Sequence, residues 1–124
     1  MISGSAQEHT EIALSWYAEL MENSPIGIFF TDADGNCFQV NKTWCEIAGM
    51  SPEQARGRGW VDAIHHDDHE RVETLWYESV KNNQPFHAEY RFCTPQGKIT
   101  WVVGHATAKL NKDRNVEGYI GTIS

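Results

Sequence analysis

Long apolar runs are missing from this chain of 124 residues. No stretch approaches the ~20 consecutive apolar residues that span a bilayer, so no membrane contact by this segment is expected. The opening residues, MISGSAQEHTEIAL, lack a basic start followed by an apolar core, and no secretory signal is expected from them. Cysteine is scarce. Cys37, Cys45 and Cys93 are an odd number without CxxC spacing, which argues against a disulfide framework and a thiolate zinc site. The expected setting is a reducing cytoplasm, with each thiol acting as a small buried hydrophobe. Positive charge is scarce as well: 10 Lys and Arg stand against 17 Asp and Glu, for a net charge of −7. So acidic a surface repels nucleic acid and anionic lipid, and neither is an expected partner. Catalytic signatures are absent too. There is no nucleophile elbow and no catalytic dyad, and the glycines of RGRG, Gly57 and Gly59, fit a sharply turning loop better than a phosphate cradle. The segment is not expected to be an enzyme. It also has no internal repeat and no low-complexity stretch.

What is present reads as one ordinary globular domain preceded by a helix. Ile12, Trp16 and Leu20 recur every four residues, with Ala13, Tyr17 and Met21 beside them, which predicts an amphipathic helix over residues 6–22. Asn23-Ser24-Pro25 ends it, because the residue before proline avoids the helical region. IGIFFTD and CFQVN read as two strands joined at DADGN, whose Asp-Gly pair favours a hairpin. Asn41 can cap a short helix that ends at Gly49, and Ser51-Pro52-Glu53-Gln54 is a capping box with proline at the first helical position. The last third alternates as strands: FHAEYRFC, then ITWVVGHATAKL, then VEGYIGTIS, with turns at TPQG and NKDRN. Helix, two strands, a helical middle and three strands predict an α+β fold with an antiparallel sheet.

The segment IHHDDHERV packs three histidines, two aspartates and a glutamate into six consecutive positions. It precedes a stripe of Val72, Leu75, Trp76, Ser79 and Val80 at helical spacing. Asp67 and Glu70 have the spacing of a capping box, and Asp68 adds negative charge where the helix dipole is positive. A zinc site on one helix needs ligands at i and i+4. His65 and His66 precede the expected cap, leaving His69 alone at the core's rim, so no metal site is expected.

In this order the motifs resemble those of the PAS domain family, the sensory modules of bacterial-type signalling proteins. NSPIGIFFTDADGNCFQVNKTWCEIAGMSPEQARGRGW is similar to the family's first hairpin and helical pieces. IHHDDHERV resembles its "I-H-P-D-D-x-x-R-V" helix start, with His66 where proline is usual. EYRFCTPQGKITWV and VEGYIGTIS resemble its later strands. The final strand of many members runs on into "D-I-T", so a longer parent protein is expected. The resemblance covers residues 23–124, with residues 1–22 as a separate helix.

The resemblance implies a five-stranded antiparallel sheet with helical segments across one face, enclosing a pocket. Phe29, Thr31, Tyr90, Phe92, Val102 and Gly104 would line it from the sheet, with Tyr119 beside them. Trp60, Val72, Leu75 and Trp76 would close it from the helices. So many bulky side chains favour a small pocket or none. Photoactive relatives carry a flavin-reactive cysteine on the helix beside the pocket, whereas Cys37 here falls on a strand. Haem-binding relatives place a histidine midway along the long helix, and His69 comes a turn too early. Neither flavin nor haem is expected. Two functions follow: a sensor whose pocket ligand alters a downstream histidine kinase or diguanylate cyclase domain, or a ligand-free module for dimerisation and signal relay. The first helix is expected to cover the outer sheet face at Trp101, Val103 and Phe30 or to pair with its copy, and the resemblance favours both at once, in a two-fold homodimer.

Overall fold

Two of the hairpin turns use the same local chemistry. In the computed structural model, which describes residues 5–124, Asp32 Oδ1 accepts from the amides of Asp34 (3.0 Å) and Asn36 (2.9 Å). Asn111 Oδ1 accepts from those of Asp113 (2.9 Å) and Asn115 (3.0 Å). Such side-chain turns are why Asp and Asn mark chain reversals. Between them the turns set β1 (Gly27–Asp32) against β2 (Cys37–Val40), and β4 (Ile99–Leu110) against β5 (Val116–Ile123). A third turn, with Gly97 at φ +88°, returns β3 (Phe86–Cys93) into β4. The five strands form one antiparallel sheet in the order β2-β1-β5-β4-β3.

Helices α2 (Lys42–Ala48), α3 (Pro52–Ala55) and α4 (His69–Lys81) join β2 to β3, with 3-10 turns at Gly59–Ala63 and His66–Asp68. Asn41 caps α2 as its sequence predicts, and it also ties the helix to the sheet. Its Oδ1 accepts from the amides of Trp44 (3.0 Å) and Ile28 (2.9 Å), while its Nδ2 donates to the Ile26 carbonyl (3.1 Å). The Ser51–Gln54 capping box forms in both directions. Alternation on β3 and β4 is as expected: Phe86, Ala88, Tyr90, Phe92, Val102 and Ala106 are buried on the inner face.

Two expectations are corrected. Asp67 does not cap α4, and Glu70 completes no box. A 3-10 turn occupies residues 66–68, α4 starts at His69, and no side chain caps it. The competing attraction is Arg91 on β3. Asp68, not Asp67, is the buried carboxylate, and it accepts from the Arg91 amide (2.9 Å), Nε (2.9 Å) and Nη2 (2.8 Å). A two-pronged charged pair plus a backbone donor outweighs one cap bond. Second, Leu75 is exposed. α4 buries Val72 and Trp76, and the helical twist carries Leu75 off that face. The first helix, α1 (Ala6–Asn23), meets the outer face at Phe30, and among the described residues Trp101 is 65% exposed. It touches the domain through its C-terminal part, with Met21 buried and Tyr17 stacked on Phe30 at 6.2 Å. Ile12, Leu14, Trp16 and Leu20 remain exposed along it. Residues 1–4 of the expected N-terminal segment lie outside the described residues.

Candidate functional site

Between the inner sheet face and the helices lies a cavity of about 30 Å³, lined by Phe29, Thr31, Cys37, Trp44, Trp60, Trp76, Phe86, Tyr90 and Phe92. A water molecule needs roughly 10–15 Å³, so this space takes one or two. Trp76 is the reason it is so small. Its indole meets Phe29 (5.9 Å), Trp60 (6.1 Å), Phe86 (5.4 Å) and Tyr119 (5.7 Å) edge to face, and its Nε1 donates to the Gly35 carbonyl at 3.0 Å. Edge-to-face contacts of this kind are favourable beyond the area they bury. Two glycines make room for rings against the sheet. A Cβ on Gly121 would clash with the outer edge of the Phe29 ring, and one on Gly104 would meet the Tyr90 ring and hydroxyl at 2.9 Å.

Of the residues expected to line the pocket, Phe29, Thr31, Trp60, Trp76, Tyr90 and Phe92 do so. Val72 and Val102 are buried in the surrounding core, away from the cavity wall. The Tyr119 hydroxyl lies within hydrogen-bond reach of the Val80 carbonyl (3.2 Å) and Asn83 Oδ1 (3.3 Å), so it ties β5 to the end of α4. Leu75 takes no part. Sequence reasoning missed Cys37, Trp44 and Phe86. Alternation puts Phe86 on the same face as Tyr90 and Phe92, so that signal was legible. Trp44 depended on how α2 docks, which nothing local dictates.

The site's few polar groups are neutral. Burial raises the Tyr90 hydroxyl above its ordinary pKa, leaving it a proton donor at any physiological pH. The Thr31 hydroxyl donates to the Asp32 carbonyl at 2.9 Å. Burial pushes the Cys37 thiol up to about 11, and burial with nearby Glu53 and Glu46 raises that of Cys45. Thiolate is the reactive form, so neither is a ready nucleophile.

The IHHDDHERV segment acts as a clasp. The hydrogen bonds to Arg91 hold the Asp68 carboxyl at about 2, below its usual value, against the opposing effect of burial. Arg71 Nη2 adds an ion pair at 3.6 Å. The His65 amide donates to the Arg91 carbonyl (2.8 Å), and Ile64 bridges to Phe92, so the segment extends the edge of β3. Among the described residues, no group of three or more His, Cys, Asp or Glu is placed to hold a metal ion. No helix among them is long and apolar enough to cross a membrane.

Comparison with known proteins accords with this geometry. A protein of Sinorhizobium fredii, y4lL, is 29% identical over 105 residues, covering 85% of this chain and 13% of its own length. The peroxide stress-activated histidine kinase mak1 of Schizosaccharomyces pombe is 29% identical over 117 residues, covering 86% of this chain and 7% of its own. The chain thus spans a small fraction of either relative. The crystal structure of the PAS domain of a protein from Colwellia psychrerythraea superposes with a TM-score of 0.70 at 24% identity, covering 90% of this chain and 95% of that one. The family model described as the PAS fold matches residues 16–124. The chain therefore belongs to the PAS family of sensory and signalling domains.

Proposed function

We propose that this domain is a cytoplasmic relay module that regulates a downstream catalytic domain of histidine kinase or diguanylate cyclase type. The carrying observation is the interior filled by its own aromatic rings. Cofactor pockets commonly enclose roughly 300 Å³ or more. Flavin or haem would have to displace Trp60 and Trp76, and neither a histidine nor an ionised thiol lines the wall. With little space for a ligand, the signal has to be carried by changes in how the domain packs against other elements. Similarity to a histidine kinase over most of the chain supports that type of output.

The packing element is α1. An isolated helix of its length is marginal in water, and among the described residues its stripe of Ile12, Trp16 and Leu20 lacks a cover. The reading is a homodimer in which α1 pairs with its copy and with outer-face residues such as Trp101. Tyr17 on Phe30 links that seam to β1. A signal can bias output only if it favours one of two arrangements, and the seat of α1 is the element with two faces to choose between. Nucleic acid and membrane lipid remain unsuited to so acidic a surface.

The test is light scattering on the whole chain, on a chain lacking residues 1–22, and on a Trp16→Glu/Leu20→Glu variant. The expected result is a dimer that becomes monomeric in both altered forms. The double variant should lose only the concentration-dependent stabilisation that the dimer supplies, and the truncation, which also loses Met21 and Tyr17, should lower the melting temperature further. A dimer that survives both changes overturns the reading. A second reading, a small polar ligand held at Tyr90, is favoured by that hydroxyl's place in the cavity wall. Native mass spectrometry of the purified domain distinguishes it through a retained molecule.

A further inference from the structure

His87 on β3 and His105 on β4 face each other directly across the antiparallel ladder. Both lie on the outer face, and both are exposed. Their imidazoles stack with centroids 4.2 Å apart and planes 13° from parallel. Opposed residues on neighbouring antiparallel strands have Cβ atoms ~5 Å apart, so backbone register alone brings the rings together. No hydrogen bond within the described residues occupies either ring. By contrast, Trp76 Nε1, Tyr119 and the Asp68 carboxylate each spend their polar atoms on protein.

We propose that His87 and His105 form a two-imidazole chelate for a late first-row divalent cation, of the class Cu²⁺, Ni²⁺ or Zn²⁺. Imidazole nitrogen suits these ions. A metal–nitrogen bond of about 2.1 Å, with a bite between square and tetrahedral, sets the two nitrogens roughly 3.0–3.4 Å apart. Rings stacked at 4.2 Å reach that spacing by tilting toward a common point above the sheet. Because both rings are exposed on the outer face, this rotation disturbs no core contact. The remaining coordination positions are left to water or to Glu89, two residues along β3 and exposed on the same side. The sequence expectation of no metal considered helical spacing within IHHDDHERV. This pair is 18 residues apart in sequence, and only the β3–β4 register brings it together.

The test is isothermal titration of the full chain with Ni²⁺ at neutral pH, with electron paramagnetic resonance on the Cu²⁺ form. One ion per chain is expected, with two nitrogen ligands in the Cu²⁺ spectrum. His87→Asn and His105→Asn should each weaken binding roughly ten-fold or more, since outer-shell changes alone cost that much. Circular dichroism should be unchanged for both. A His66→Ala/His69→Ala variant should bind as the parent does. Failure of the parent chain to take up Ni²⁺, or uptake that persists in His87→Asn/His105→Asn, overturns the proposal.

Discussion

Val102 and Trp101 are neighbours on β4, yet Val102 is 3% exposed and Trp101 is 65% exposed. The two faces of the sheet differ in the same way. Inside, Phe86, Tyr90 and Phe92 are covered by α4 and the segment before it. Outside, Phe38, Ile99, Trp101 and Ile120 are exposed, and α1 reaches only as far as Phe30. Both faces carry large apolar side chains, although the outer one also bears His87, Glu89 and His105. What differs is whether the same chain supplies a cover. The inner face stabilises the monomer. The outer face offers exposed apolar surface of the kind that marks interaction sites.

If the inner face carries the stability, its central ring should be the costliest to lose. Trp76→Ala leaves a large cavity and strands the Gly35 carbonyl, and we expect a loss of ~3–5 kcal/mol in urea unfolding. A midpoint near the parent's would show that the aromatic cluster does not hold the two layers together. Next comes Asp68→Asn, which leaves Arg91 without its partner. The expected loss is about 2 kcal/mol, below that of a fully buried pair because Arg91 is partly exposed. The acid limb gives a second readout. The folded carboxyl titrates at about 2, below its usual 3.8, so its stabilisation is complete above the usual value and is lost as pH falls toward about 2. Asp68→Asn should flatten stability across that window, and an unchanged slope would assign acid sensitivity to other carboxylates. On the outer face, Trp101→Ser removes one ring stacked by Arg91 at 5.0 Å. In dilute solution this should cost only ~0.5–1 kcal/mol. A loss as large as that for Trp76 would mean that the outer face is covered and would remove the contrast.

Much of this contrast was legible in the sequence. Period-two alternation assigned each β3 and β4 residue to its face, and the hairpin chemistry of DADGN fixed the β1–β2 connection. Asn41 and Ser51 cap as their side chains dictate, because those bonds are local. What was not legible depended on partners distant in the chain. Leu75 fits the helical stripe, but the angle at which α4 docks, anchored by Val72 and Trp76, turns it outward. Gly104 and Gly121 make room for Tyr90 and Phe29, a role visible only once strand register is known. His87 and His105 likewise meet only through that register. The stripe of α1 correctly announced a surface in need of burial, but not what buries it.

Adjacent aspartates give the narrowest version of the inside–outside comparison and the smallest expected effect. Asp67 and Asp68 are chemically identical, and the D-x-x-E spacing from Asp67 favours it as the cap, a role usually worth ~1 kcal/mol. In the folded chain, Asp67 has a 67% exposed side chain that lies 3.9 Å from both His65 Nδ1 and Arg91 Nη2, while its own amide donates to His65 Nδ1 at 3.1 Å. Exposed pairs at such distances contribute little after solvent screening. We therefore expect Asp67→Ala to shift stability by no more than ~0.5 kcal/mol, within the range of ordinary surface substitutions. Measured beside Asp68→Asn in the same urea series, it should leave both midpoint and slope close to the parent. A loss near 1 kcal/mol would return the capping role to Asp67 and would mean that the turn at residues 66–68 rearranges in solution into a regular first turn of α4.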